Sequence, residues 1–115
     1  LIIQNEQNHV FLEKRPAQGI WGGLWSFPEC DQLEYGLDLW QRKLGSKLSL
    51  KQKLAPVEHR FSHYDLMMTP VLVQCRTAAT SNNKPEWHWQ PDHNALPGGI
   101  PAPIEKLLNQ IRSQT

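Results

Sequence analysis

Apolar and polar positions alternate in short bursts along most of the chain and lengthen to a helical repeat in two places. Leu1-Ile2-Ile3 and the run His9-Val10-Phe11-Leu12-Glu13-Lys14 flank a polar stretch. They predict a strand over residues 1–4, a turn over 5–8 and a strand over 9–14, ended by Arg15-Pro16. Gly19, Gly22 and Gly23 predict a tight loop carrying Trp21 and Trp25, and a short strand over 24–27 is closed by Pro28. Leu33, Leu37, Trp40 and Leu44 have helical spacing. Asp31 is the predicted N-cap and Gly45 the C-terminal cap of that helix, with Gly36 weakening its interior.

Residues 47–53 are polar and show no decisive period. Residues 57–64 alternate as a strand, with Val57, His59, Phe61 and His63 on one face and Glu58, Arg60, Ser62 and Tyr64 on the other. Residues 67–76 predict a more apolar strand, and Pro70 within it predicts an edge or a bulge. Residues 77–85 read as a surface loop and 87–90 as a short strand. In the last segment Ile104, Leu107, Leu108 and Ile111 share one helical face, and Pro103 suits the first turn. The sum is an α+β chain, a sheet with two helices, without internal repeats or low-complexity tracts.

At 115 residues and 39% hydrophobic, the chain supports one domain with one modest core. Its charged fraction of 20% excludes a disordered polyelectrolyte, and a net charge of +1 excludes a polycation. Affinity for nucleic acid must therefore come from a local patch or a neighbouring domain. Six of the twelve Lys and Arg residues lie between positions 42 and 60, namely Arg42, Lys43, Lys47, Lys51, Lys53 and Arg60, with Glu58 the sole acid there. They form either a phosphate-facing patch or a solvated helix-and-loop face. Cys30 and Cys75 lack metal-type spacing and read as two buried reduced thiols. No apolar run reaches membrane-span length. The chain opens at Leu1 within an apolar run, as expected of a fragment of a longer protein.

The segment from Gly23 resembles the box of the Nudix hydrolases, G-x5-E-x7-R-E-U-x-E-E-x-G-U, with U a bulky aliphatic. Glu29 falls on its first Glu, Asp38 is a shortened acid and Leu39 keeps the aliphatic. The metal-binding glutamate pair falls on Gln41 and Arg42. Magnesium needs clustered, preferably anionic oxygen ligands, and a guanidinium would repel it. The resemblance implies the Nudix loop-helix-loop scaffold without its chemistry.

Three further runs narrow the resemblance: residues 13–28 with Trp21-Gly22-Gly23-Leu24, residues 59–66 with Phe61-Ser62-His63, and residues 87–108. Together they resemble the Nudix-like C-terminal domain of bacterial adenine DNA glycosylases of the MutY type. That resemblance implies a Nudix-like (MutT-like) mixed sheet with two helices. It implies a DNA-repair domain that recognises 8-oxoguanine opposite adenine in double-stranded DNA, in a cytoplasmic, nucleoid-associated bacterial protein. Adenine excision then belongs to an N-terminal catalytic domain, this chain's expected partner, which carries a 4Fe-4S cluster. Two cysteines cannot supply the four thiolates of such a cluster, so no cofactor is expected here, and this segment alone is expected not to be an enzyme.

Oxidation turns guanine N7 from acceptor into N–H donor. Under the resemblance Ser62 reads that edge. Its hydroxyl can also rotate to donate to normal guanine, so by itself it discriminates softly. Phe61 is either a wedge between base steps or a core residue. His63 either contacts a phosphate or base, or orders the loop. The position before Phe61 is often Thr in the family and is Arg60 here, which suits a phosphate contact. Tyr64 flanks the loop, and His59 reads as structural. Trp21, Trp25, Trp87 and Trp89 read as core and sheet packing. Two other readings remain: a divergent Nudix hydrolase of oxidised nucleotides, supported by Glu29 and Asp38, and a protein-interaction module presenting residues 77–85.

Overall fold

The structure, a computed structural model, describes residues 1–18, 21–60, 65–76, 84–91 and 98–113. Eight strands and two helices follow in the order β1 (Ile2–Gln4), β2 (Val10–Lys14), β3 (Trp25–Ser26), α1 (Leu33–Leu44), β4 (Leu48–Lys53), β5 (Val57–Arg60), β6 (Asp65–Met68), β7 (Val71–Cys75), β8 (Trp87–Gln90) and α2 (Ala102–Ser113) among the described residues. Six of the strands form one mixed sheet in the order β3-β2-β1-β7-β4, with β8 on β2. Among the described residues only β1 and β7 run parallel; the other pairs are antiparallel. Strands β5 and β6 form a separate two-stranded sheet.

Alternation along the central strands sends neighbouring side chains to opposite faces, and each face is covered by one helix. Ile2, Val10, Leu12 and Leu72 pack with Ile104, Leu107, Leu108 and Ile111 of α2. Ile3, Phe11, Val71 and Val73 pack with Trp40 and Leu44 of α1. Phe11 is fully buried and meets Trp40, Trp87 and Trp89 edge-on at 5.4, 5.6 and 5.2 Å between centroids. Trp87 and Trp89 thus pack as the sequence predicts, and such edge contacts add about 0.5–1.5 kcal/mol each beyond burial. The turn before β2 is built by Asn5, whose Oδ1 accepts from the Gln7 and His9 N–H groups, and by Asn8 at φ 64°.

Helix α1 ends as expected, with Gly45 left-handed at φ 64° and its N–H donating to the Gln41 carbonyl. Its start corrects the sequence reading: Gln32, not Asp31, is the N-cap, and its side chain makes no capping hydrogen bond. Gly36 is buried because the helix passes Cys30, whose Cβ would lie 2.6 Å from a Cβ added there. Cys30 is exposed, correcting the expectation of a buried thiol; Cys75 is buried and donates to Ser46 Oγ at 3.2 Å. Residues 48–53, ambiguous in sequence, form edge strand β4 with a register shift near Lys51. The predicted strand over 67–76 is two strands divided at Thr69-Pro70, and β7 lies inside the sheet between β1 and β4, not at an edge. Pro70 is a break rather than an edge marker: the chain leaves the hairpin there, and its carbonyl accepts from Leu54 N–H at 2.9 Å. No helix among the described residues is long and apolar enough to cross a membrane.

Candidate nucleic-acid interface

The β5–β6 hairpin is the element that flanks Phe61-Ser62-His63. Val57 lies opposite Met68, Glu58 opposite Met67, His59 opposite Leu66 and Arg60 opposite Asp65. Phe61, Ser62, His63 and Tyr64 join the two strand ends and lie outside the described residues. Val57 and Met68, at the root, rest against the α2-side core. His59 is half-buried and its ring meets Trp21 at 5.8 Å between centroids and 57° between planes. The sequence reading took Trp21 for packing and His59 for structure; it missed that they pack on one another, because a contact between a loop and a strand distant in sequence leaves no periodic signal.

Trp21 comes from the glycine loop. Its own backbone is left-handed at φ 53°. That conformation costs a non-glycine residue about 1–2 kcal/mol. The surrounding turn holds it there: Leu24 N–H donates to the Trp21 carbonyl at 3.0 Å, and Gly23 N–H is shared by the Arg15 and Pro16 carbonyls at 3.2 Å. Gly23, at φ 75°, supplies the positive φ that such a turn requires, and a Cβ on Gly22 would collide with the Ala17 carbonyl.

The predicted phosphate contacts occupy several places. Arg60 is exposed, with Nε 3.1 Å from Glu58 Oε1 and 3.9 Å from Asp65 Oδ1. Arg42 and Lys43 stand in the last turn of α1, where Arg42 bonds Asp38 at 2.7 Å and Lys43 lies 4.7 Å over the Trp40 ring. Lys47 is exposed in the connection to β4, and Lys51 and Lys53 are exposed on that edge strand. Lys53 also lines an open groove of about 630 Å³ together with Met67, Met68 and Thr69, so the fold brings this lysine beside the hairpin root.

The degenerate box has been put to other uses. Glu29 pairs with Arg15 at 2.8 Å. Gln41, which the Nudix resemblance sets on a metal-ligand position, accepts the Leu48 N–H with its Oε1 at 3.0 Å, and its carbonyl accepts the N–H groups of Gly45 and Ser46. It therefore fastens the end of α1 to the start of β4. A small cleft of about 230 Å³ lies between Glu13, Arg15, Glu29, Trp40 and Lys43. Burial pushes the Glu13 carboxyl above its ordinary range, against the pull of Lys43 and Arg15 and with a smaller push from Glu29 and Glu86. Among the described residues, no group of three or more His, Cys, Asp or Glu side chains is disposed to hold a metal ion.

Comparison with known proteins agrees with this architecture. Residues 1–110 match the NUDIX domain family. The chain is 28% identical over 111 residues to the adenine DNA glycosylase of Buchnera aphidicola subsp. Baizongia pistaciae, covering 96% of this chain and 31% of that protein. Identity to the adenine DNA glycosylase of Buchnera aphidicola subsp. Schizaphis graminum is also 28% over 111 residues, covering 93% and 31%. The chain therefore spans about a third of the length of these curated relatives. In fold it is similar to the C-terminal domain of mouse MUTYH, solved in complex with human PCNA, with a TM-score of 0.69 at 21% identity over 98% of this chain and 84% of that one. It is also similar to the E. coli ORF135 protein, with a TM-score of 0.53 at 19% identity over 98% and 87%. The chain belongs to the NUDIX domain family, and nearly all of it is similar to the corresponding part of adenine DNA glycosylases.

Proposed function

We propose that this chain is the lesion-reading part of an adenine DNA glycosylase, acting on double-stranded DNA that carries 8-oxoguanine opposite adenine. The observation that carries the reading is its similarity to adenine DNA glycosylases over 96% of its length. The β5–β6 hairpin adds support, because it flanks a run of wedge, hydroxyl and titratable ring. Phe61 enters the base stack beside the lesion, at an unstacking cost of a few kcal/mol that extra contacts offset. Ser62 accepts from the N7–H that distinguishes 8-oxoguanine, and His63 and Tyr64 flank the contact. Arg60 exchanges its exposed carboxylate partners for a phosphate, and Lys53, on the groove beside the hairpin root, extends the same positive edge. Arg42, Lys43, Lys47 and Lys51 continue it along α1 and β4.

Adenine excision belongs to the rest of the protein, which we place N-terminal to this chain and in the bacterial cytoplasm. A 4Fe-4S cluster would sit in that part: exposed Cys30 and buried Cys75 cannot form a four-thiolate site. We assign no hydrolysis to this segment, in keeping with Gln41 and Arg42 at the metal positions and their engagement with Leu48 and Asp38. The test is Phe61→Ala with Ser62→Ala in the full-length enzyme, comparing single-turnover excision from 8-oxoguanine:adenine and guanine:adenine duplexes. The ratio of the two rates should fall; an unchanged ratio rejects the reading.

A further inference from the structure

We propose that Trp21 is a positioning residue, which fixes the angle of the β5–β6 hairpin, the element that flanks Phe61-Ser62-His63 in sequence, through its contact with His59. The inference deepens the base-reading role proposed above and rests on it.

Strand pairing between described residues does not set this angle. Among the described residues, neither strand of the hairpin pairs with the six-stranded sheet. The root is tied down at one end by the Leu54 N–H···O Pro70 bond and by Val57 and Met68 against the α2-side core. A two-stranded ribbon held at its root tilts unless something meets it farther out. His59 stands two residues beyond Val57 and two before Phe61, and its ring lies 5.8 Å from that of Trp21. Trp21 itself packs on the same core as the root. It therefore ties the outer half of β5 to the body of the domain.

Trp21 is held in a conformation a bulky residue seldom adopts, φ 53°. Such conformations persist where surrounding structure over-determines them. The glycine loop does so through its hydrogen bonds at Gly23 and Leu24 and the absence of room for a Cβ at Gly22. The loop that opens the Nudix box thus acts as a bracket for the hairpin. Rigidity there matters chemically. A serine hydroxyl can donate or accept, so what it selects depends on how firmly its backbone is placed against the base edge.

The test uses the full-length glycosylase and the ratio of its single-turnover rates on 8-oxoguanine:adenine and guanine:adenine duplexes. Loss of folded protein lowers both rates alike and cancels in the ratio. Trp21→Ala should lower the ratio roughly fivefold or more, the low end of what one base-edge contact discriminates. Trp21→Phe keeps a ring against His59 and should leave the ratio near wild type. Trp25→Ala is the control: Trp25 packs on the same core but faces His88, so its loss should spare the ratio. An unchanged ratio in Trp21→Ala, or an equal drop in Trp25→Ala, overturns the proposal. Phe61→Ala with Ser62→Ala, run in parallel, separates the two levels. If that variant lowers the ratio and Trp21→Ala does not, positioning alone is wrong; if it leaves the ratio unchanged, base reading falls and positioning with it.

Discussion

Replacing Arg60 with Ala in the full-length protein tests the proposed phosphate contact quantitatively. The Arg60 side chain is 80% exposed and its Nε is 3.1 Å from Glu58 and 3.9 Å from Asp65. Exposed pairs of this kind contribute about 0.2–1 kcal/mol each, so releasing Arg60 from both costs less than about 2 kcal/mol. The proposed phosphate contact therefore has only a weak competitor to displace. Each phosphate contact steepens the dependence of log K on log salt by about 0.9, so one contact changes affinity roughly 3.5-fold between about 50 and about 200 mM salt. Arg60→Ala should make the salt slope shallower by about 0.9. Because phosphate contacts carry no sequence information, lesion and undamaged duplexes should lose affinity equally. Glu58→Gln, which removes a competing carboxylate, should tighten binding at low salt. Fluorescence anisotropy with labelled duplexes across a salt series measures all three. An unchanged slope in Arg60→Ala, or a loss confined to the lesion duplex, would refute the assignment.

Two further outcomes follow from the body of the domain. The folded state holds the Glu13 proton more tightly than the unfolded chain does, mainly through burial, so wild-type stability present at acid pH is lost as pH rises through the raised value. Glu13→Gln should therefore equal wild type well below the ordinary value of 4.5 and exceed it at neutral pH in urea unfolding; a variant weaker than wild type at pH 7 contradicts the sign. Gly36→Ala would gain about 1 kcal/mol in an open helix. Here its Cβ meets Cys30 Cβ at 2.6 Å, and overpacking costs about 1–3 kcal/mol, so a net loss of about 1 kcal/mol is expected, with recovery on adding Cys30→Gly. A single variant more stable than wild type would show that the Cys30 loop simply moves aside.

Local chemistry by itself determined much of this protein. Both helices were legible because their buried residues recur every 3 to 4 positions, and the buried set Ile104, Leu107, Leu108 and Ile111 is the one the spacing predicts. Gly45 ends α1 because only the left-handed region lets the chain turn there, and Trp87–Gln90 is the strand its alternation predicts. The lost acidic pair at Gln41 and Arg42 was equally plain in the sequence, as a matter of residue chemistry. Tertiary structure decided the rest. The strand β4 carries exposed Leu50, Lys51, Gln52 and Lys53; it is a strand because β7 offers it hydrogen bonds, a partner that sequence distance conceals. Pro70 suggested an edge or a bulge and could not reveal that it stood at a break between two strands, since each of these spares the missing N–H. Nor could any periodicity announce that Trp21 would lie against His59, or that Lys53 would share a groove with the hairpin root. Patterns of spacing record how a segment meets water and core, whereas contacts between segments distant in sequence depend on where the whole fold sets them down.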